Sequence, residues 1–292
     1  MMNEPYENTP EGVNKEGRLE PKLYLCATPI GNLGDITERV LDTLARADVV
    51  FCEDTRNTGA LLKRFGIKAR LESCHEHNEE AAAARAAELI RSDRAAAYVS
   101  DAGMPCISDP GERLVRACID EGLPFEVLPG ASAGLTAAIM SGLPTKRIFF
   151  VGFLPRENRE RAELIAEIKR VTATVVIYES PYRVGATLNE LCELLGDRKA
   201  ALVREITKMF EETVRGTLSE LSEQFKEIPP RGECVIVVSG ERMEETPTEG
   251  LDEMLARLMD SGMSVKDAAK QAALMLDIPK NEAYRRAMEL KQ

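Results

Sequence analysis

Several features that assign a chain to a familiar class are missing from this sequence of 292 residues. No apolar run approaches the roughly 18 residues that a membrane-spanning helix needs. The opening segment has no apolar core of the secretory type, and its polar composition with Pro, Gly, Asn and Glu predicts a disordered tail over residues 1–20. We therefore expect a cytoplasmic protein that makes no use of a membrane.

A cysteine framework is also missing. The seven cysteines are odd in number, and no two of them show CxxC spacing. Most lie in apolar segments, as small buried side chains do in a reducing compartment. His75, Glu76, His77 and Glu79 resemble a metal cluster, but no further partner follows at zinc-like spacing. We therefore expect neither a disulfide framework nor a metal site.

Nucleotide-binding motifs are absent as well. The first strand runs into PIGN, which is neither GxGxxG nor GxxxxGKS/T, so a kinase or an NAD-dependent enzyme loses its main support. The net charge of -11 argues against broad, nonspecific binding of nucleic acid. A local basic surface remains compatible with that total, and the region that follows Arg56 supplies one.

Short apolar strands alternate with helical segments over residues 21–142. This alternation predicts an α/β domain with a mostly parallel sheet and right-handed crossovers. Polar or glycine-rich loops follow its five predicted strands, with the sequences PIGN, EDTRN, CHEHNE, SDAGMP and PGASAG. Because the carboxyl ends of parallel strands share one edge, we expect these loops to lie together where ligands bind.

The rest of the chain predicts two further parts. Residues 143–242 read as a second α/β domain, in which two consecutive strands near 199–203 and 212–215 indicate a mixed sheet. Residues 243–292 are helical by composition. Ser264 and Pro279 mark helix starts there, so this extension resembles a helix–turn–helix.

Two loops carry the strongest local signals for ligand binding. The loop over residues 100–111, SDAGMPCISDPG, is stiffened by two prolines; Gly103 allows close approach to its backbone, and Asp101 supplies a carboxylate. In PGASAG, Ser132 lies at the amino end of a helix, where backbone amides bind polar ligands. A surface turn and a plain helix cap are the alternative interpretations.

These motifs, in this order, resemble the tetrapyrrole-methylase superfamily, and within it the ribosomal RNA small-subunit methyltransferase I family. The resemblance spans residues 22–240. Its motifs are LYLCATPIGNLGDIT, FCEDTRNTGALLKRFGI, ESCHEHNE, VSDAGMPCISDPG, VLPGASAG, GFLPR, YESPYR and VREITKMFEE. Each piece alone is weak, but TPIGNL with EDTR and SDAGxPxxSDPG is a specific combination.

The resemblance implies a two-domain class III methyltransferase fold with a C-terminal helical extension, a cleft that binds S-adenosylmethionine, and a homodimer. The cofactor candidates that it implies in the first domain are Pro29, Asp101, Gly103, Met104, Ser132 and Ala133. In the second domain they are Leu154, Tyr178, Glu233 and Cys234.

The reaction that the resemblance implies is methylation of a ribose 2′-hydroxyl, on a cytidine of 16S rRNA in the 30S ribosomal subunit. A neutral hydroxyl is a poor nucleophile, so a general base is expected. The sequence does not choose among the candidates for this base, which are Glu53, Asp54, His75, His77 and Lys208.

The residues expected to position the RNA are Arg56, Asn78 and Arg183. Because bases in RNA loops are often splayed out and stacked, Tyr182 and Phe210 are candidates for stacking; a surface ring and a core residue are their alternative interpretations. Two other functions stay open. One is a corrin- or porphyrin-precursor methyltransferase of the same fold, and the other is a noncatalytic RNA-binding factor of ribosome assembly.

Overall fold

The computed structural model describes residues 18–241 and 250–291, with residue 277 left out. The chain divides into two compact units, Met1–Glu241 and Arg242–Gln292. Of the predicted tail, residues 1–17 lie outside the described residues, whereas Leu19 packs against the core of the first unit. The predicted domain boundaries at 142 and 242 stay predictions.

The first sheet is entirely parallel, as predicted. Its strands are β1 (Leu23–Cys26), β2 (Val49–Cys52), β3 (Leu71–Ser73), β4 (Ala96–Val99) and β5 (Phe125–Leu128). They pair in the order β3-β2-β4-β1-β5. This order brings the five loops that follow the strands to one edge of the sheet.

Helices cover both faces of the first sheet. They are α1 (Glu38–Arg46), α2 (Thr55–Arg64), α3 (Glu79–Arg91) and α4 (Glu112–Glu121). Successive strand residues face opposite sides, so Val50 packs with α1 and α2 while Phe51 packs with α3 and α4. Burial on both faces explains why these strands are apolar throughout.

The second sheet is mixed, which confirms the prediction from its consecutive strands. It contains β6 (Ile148–Phe153), β7 (Thr174–Glu179), β8 (Lys199–Arg204), β9 (Glu212–Thr217) and β10 (Cys234–Val238). The order is β6-β7-β10-β8-β9, with β6 and β7 parallel and the other pairs antiparallel.

Different helices cover the two faces of the second sheet. One face packs against α6 (Asn158–Arg170), α7 (Val184–Leu195) and α8 (Leu218–Gln224). The other face packs against α5 (Ala133–Ser141), through Ala137 and Ala138. Although α5 directly follows the last strand of the first sheet, it lies on the second sheet. Helix α5 therefore links the two sheets, which belong to one compact unit.

The second unit has three described helices, α9 (Leu251–Asp260), α10 (Val265–Met275) and α11 (Lys280–Leu290). The predicted starts are confirmed, because Ser264 caps α10 by accepting the Asp267 N–H and Pro279 directly precedes α11. Leu255 and several alanines form its core. Across the described ranges, the helices all fall short of the length or apolarity needed to cross a bilayer.

A capping box at the start of α8 gives a test of the fold. The Thr217 hydroxyl accepts the Glu220 N–H, and the Glu220 carboxylate accepts the Thr217 N–H. Thr217→Ala removes one partner and is expected to lower the free energy of unfolding by about 1 kcal/mol in urea denaturation. Thr217→Ser keeps the cap and serves as control; equal losses in both variants contradict a capping role.

Candidate active site

A cleft lies between the two sheets of the first unit. Its cavity volume is about 400 Å³, within the range of roughly 300–1,000 Å³ that is usual for small-molecule sites. One wall comes from the loops that follow β1, β4 and β5, and the other from β7, β10 and the residues beside them. Three of the five predicted loops, PIGN, SDAGMP and PGASAG, therefore line this cavity, whereas no residue of EDTRN or CHEHNE lies on its wall.

Two of these loops are joined by backbone hydrogen bonds. The Thr28 N–H donates to the Gly103 carbonyl at 2.9 Å, and the Gly103 N–H donates to the Thr28 carbonyl at 3.0 Å. The Thr28 hydroxyl also donates to the Ser100 carbonyl. Gly103 has a φ of 82°, a conformation that favours glycine. The PIGN loop and the loop after β4 therefore form one rigid edge of the cleft.

The far end of the loop after β4 is fixed as well. The Tyr98 hydroxyl donates to the Pro110 carbonyl at 2.6 Å, and Glu79 accepts the N–H groups of Gly111 and Arg113 at the start of α4. Within the loop, Cys106 and Ser108 have positive φ values of 67° and 63°. Such conformations cluster at functional sites, where the surroundings hold them in place.

The PIGN loop also packs against the loop between β8 and β9 of the second sheet. A Cβ on Gly31 would lie 2.6 Å from the Lys208 side chain and 2.9 Å from the Ile206 carbonyl oxygen. Lys208 forms ion pairs with Glu205 at 2.8 Å and Glu233 at 3.2 Å. The loop between β8 and β9 therefore contacts the PIGN loop on one side and Glu233 of the cleft wall on the other.

Most of the predicted cofactor residues lie on the cavity wall. Those on the wall are Asp101, Gly103, Met104, Ser132, Ala133, Tyr178, Glu233 and Cys234. Pro29 and Leu154 do not lie there, and their places are taken by Ile30 and Phe153. Leu154 is buried in the core of the second sheet, because neighbouring residues of an extended chain point to opposite sides.

Tyr178 and the start of α5 form the back of the cleft. The Gly134 N–H donates to the Tyr178 hydroxyl oxygen at 3.0 Å, and burial raises the pKa of that hydroxyl. Ser132 precedes α5, but its side chain does not cap the helix. The Ser132 hydroxyl is therefore available to a ligand in the cavity.

Three carboxylates gather at the edge of the cleft. Burial raises the pKa of Asp109 to about 6, and the nearby carboxylates of Glu53 and Asp101 contribute to the rise. Burial also raises the pKa of Glu53, and repulsion from the carboxylates of Asp101 and Asp54 raises it further. Asp101 and Asp109 lie on the cavity wall, and Asp101 accepts a hydrogen bond from the Asn57 amide at 2.7 Å.

Asp109 is absent from the residues selected by sequence. The signal was available, since the loop after β4 contains two Ser-Asp pairs and only the first, with Asp101, was selected. What the sequence did not reveal is that Tyr98 and Glu79 fold the loop back so that both pairs reach the same cavity.

The geometry argues against two of the predicted general bases. Hydrogen bonds from Arg56 lower the pKa of Asp54 to about 2, and Asp54 caps α2. For Lys208, partial burial lowers the pKa, but its hydrogen bonds to Glu205 and Glu233 outweigh burial and raise it. Asp54 is therefore a weak base, and Lys208 stays protonated.

The two histidines lie in the loop after β3. His77 is exposed, whereas the Nδ1 atom of His75 is buried without a hydrogen-bond partner among the described residues. The ring centroids are 6.0 Å apart. His75 lies near enough to Glu53 to stabilise its negative charge. Across the described part of the chain, no group of three or more potential metal ligands forms.

The residues predicted to position RNA are dispersed. Arg56 is exposed and pairs with Asp54, and Asn78 closes its own loop by accepting the His75 N–H and donating to Ser73. Arg183 lies at the start of α7, 3.5 Å from Glu179, and lines a second cavity. Their role in RNA binding stays a prediction.

Comparison with known proteins identifies the family. Residues 22–222 match the family model described as Tetrapyrrole (Corrin/Porphyrin) Methylases, and residues 244–291 match the model described as RsmI C-terminal HTH domain. The chain is 43% identical to Ribosomal RNA small subunit methyltransferase I of Halalkalibacterium halodurans, over 90% of this chain and 93% of the relative. The chain belongs to the ribosomal RNA small subunit methyltransferase I family.

A second relative and a solved structure agree with this family assignment. The protein of the same name from Mesorhizobium japonicum is 44% identical over 94% of this chain and 93% of the relative. Uroporphyrin-III C-methyl transferase from Thermus thermophilus, complexed with S-adenyl homocysteine, has a TM-score of 0.54 at 20% identity, over 75% of this chain and 97% of that one. This likeness concerns the fold, and the predicted tetrapyrrole-methylase fold is confirmed.

The contact at Gly31 gives a test of the cleft in this family member. Gly31→Ala places a methyl group within 3 Å of Lys208, Thr207 and the Ile206 backbone, so it is expected to lower the free energy of unfolding by about 1–3 kcal/mol in urea denaturation. The matched control is Gly59→Ala within α2, where the added Cβ meets only Leu71 at 3.7 Å. Unchanged stability of Gly31→Ala contradicts the close packing described here.

Proposed function

We propose that this chain uses S-adenosylmethionine to methylate the ribose 2′-hydroxyl of a cytidine in 16S rRNA of the small ribosomal subunit. The observation that carries the proposal is the identity of 43% and 44% to two relatives named Ribosomal RNA small subunit methyltransferase I, over at least 90% of this chain. Their name supports transfer of a methyl group to small-subunit rRNA. The ribose position and the cytidine rest on the motif resemblance.

The cleft suits S-adenosylmethionine, which combines an apolar ring system with a cationic sulfonium. Ile107 and Val235 give the cavity apolar surface, and Gly103 leaves backbone accessible. Asp101 offers negative charge, which favours a cation. When bound, the cofactor supplies a methyl group already activated for transfer. The protein then has to hold the ribose oxygen in line with that methyl group.

Within this proposal, eight residues of the cleft hold the cofactor. They are Asp101, Gly103, Met104, Ser132, Ala133, Tyr178, Glu233 and Cys234, all on the cavity wall. The Ser132 hydroxyl and the amino end of α5 offer polar contacts, since that hydroxyl makes no capping bond.

Asp109 is the general base in this proposal. Its carboxylate lies on the cavity wall, and a pKa of about 6 leaves it ionised at neutral pH yet more basic than an ordinary carboxylate. It takes up the 2′-hydroxyl proton, which makes the ribose oxygen a better nucleophile. Glu53 supports this role by repulsion, because its negative charge raises the proton affinity of Asp109.

The RNA is proposed to approach from the open side of the cleft. Arg56, Asn78 and Arg183 belong to the proposed RNA contacts.

Two further parts of the proposal concern the location of the protein and its oligomeric state. We place it in the cytoplasm with its ribosomal substrate, and as a homodimer. The homodimer is supported by exposed apolar residues on the edge strands β5 and β6 and on α5, which include Phe125, Phe150 and Ile139.

The experiment that tests the function is methyl transfer from labelled S-adenosylmethionine to 30S subunits that lack their native ribose methylation. Nucleoside analysis is expected to recover the label as 2′-O-methylcytidine. Binding of the cofactor without transfer to 30S or free 16S RNA would favour a small-molecule methyltransferase instead. Failure to bind the cofactor at all would favour a noncatalytic RNA-binding factor.

The pKa of Asp109 predicts the acid limb of the pH profile. Since only the ionised carboxylate accepts a proton, kcat/KM is expected to fall as pH drops through about 6, rather than near 4 as for an ordinary carboxyl group. Asp109→Asn is expected to lower kcat about 100-fold or more while the calorimetric Kd for S-adenosylmethionine changes little.

The matched control is Asp120→Asn, which removes an exposed carboxylate of α4 that bonds to Arg116. This variant is expected to keep wild-type kcat and the same pH profile. An unchanged acid limb in Asp109→Asn, or a wild-type limb near pH 4, would falsify the assignment of the base.

A further inference from the structure

A second cavity adjoins the cleft on the side of the second domain. Its volume is about 610 Å³, and it shares Phe153, Glu179 and Ser180 with the wall of the cleft. The other walls include the segment before α6 and the first turns of α7. A ligand that occupies the cleft and extends past Phe153 therefore enters this cavity.

Three arginines give the second cavity its charge. Arg156, Arg161 and Arg183 line it, together with the two carboxylates Glu179 and Glu190. Both oxygens of Glu179 are already engaged, one by the Ser180 N–H at 2.8 Å and the other by the Thr187 hydroxyl at 2.7 Å. Arg161 pairs with Glu190, and Arg183 lies 3.5 Å from Glu179, so Arg156 leaves the cavity with one uncompensated positive charge, which favours an anion. We call these three residues the arginine pocket.

The arginine pocket is organised before any ligand arrives. Arg161 donates to Glu190 at 2.8 Å and to the Thr187 hydroxyl at 3.1 Å, and only 11% of its side chain is exposed. Arg156, by contrast, is exposed and forms no ion pair or hydrogen bond within the described ranges. Its guanidinium is therefore free to bind a phosphate group, whose geometry it matches.

Phe153 stands between the two cavities. Its side chain is 60% exposed, and its ring meets Tyr178 edge to face with centroids 5.5 Å apart. The exposed part of the Phe153 ring is open to a further contact. Exposed aromatic rings of this kind stack on the splayed bases of single-stranded RNA.

We propose that the arginine pocket binds the phosphodiester of the nucleotide next to the methylated one, and that Phe153 stacks on the base of that nucleotide. This subsite rests on the proposed function, because that function places the target ribose in the cleft. It adds Arg156, Arg161 and Phe153 to the determinants of RNA binding. The subsite extends the reaction site by one nucleotide and anchors the target ribose from one side.

The test uses Arg156→Gln in the full-length protein, with methyl transfer to undermethylated 30S subunits. The KM for 30S is expected to rise about fivefold or more, while the KM for S-adenosylmethionine and the kcat at saturating 30S stay unchanged. The slope of log affinity for 30S against log salt concentration is expected to become shallower by about 0.7–1, because one phosphate contact is lost. Arg156→Lys keeps the charge and is expected to retain most of that slope.

The matched control is Arg159→Gln, three positions along the chain, where the arginine is 84% exposed, pairs with Glu163 and lies outside the cavity. Phe153→Leu tests stacking separately and is expected to raise the KM for 30S with no change in salt slope. Equal KM values and slopes for Arg156→Gln and Arg159→Gln overturn the subsite. A wild-type protein that fails to methylate 30S at all overturns the proposed function instead, so the two failures are distinguishable.

Discussion

The contact between the PIGN loop and the second sheet is the constraint on which the site depends. Ile30 is buried in the core formed by α5 and the second sheet, while the adjacent Gly31 lies against the loop between β8 and β9. Thr28, two residues earlier, is bonded to Gly103 on the cleft edge. A cavity with walls from two sheets keeps its shape only if the two sheets keep their relative position. The short segment from Thr28 to Gly31 contacts both walls and so holds them in place.

The cleft has an electrostatic cost, because it holds the carboxylate of Asp109 partly buried and close to other carboxylates. The half-buried Asp109 meets the fields of Glu53 and Asp101, so its pKa in the folded protein, about 6, lies above the ordinary value of about 4 for an unfolded chain. The folded state then binds more protons than the unfolded state between these values, and stability falls as pH rises through that window. The cost is in place at neutral pH, where the ionised carboxylate is the proposed general base.

The sequence predicted those features that follow from local pattern. Alternating apolar strands predicted the parallel sheet, the motif loops at the strand ends predicted Asp101 and Ser132 on the cavity wall, and the family resemblance added Tyr178. The structure differs from these predictions where contacts between distant parts of the chain decide which residues face the cavity. Leu154 and Phe153 differ only in the side to which each points, and Asp109 reaches the cleft because distant Tyr98 and Glu79 anchor its loop. Neither fact is written in a motif.

For an acidic protein with a proposed RNA substrate, the distance over which electrostatic forces act decides how the RNA is bound. At the net charge of -11, long-range attraction to a polyanion is unfavourable, but charges beyond a Debye length of about 8 Å are largely screened at physiological ionic strength. Recognition then depends on short-range contacts with fixed geometry. Arg161, held by Glu190 and Thr187, meets that requirement, because acidic neighbours that lower the net charge also fix the direction of the guanidinium. Carboxylates such as Glu190 therefore weaken the long-range attraction to RNA but orient the arginine that is proposed to contact it.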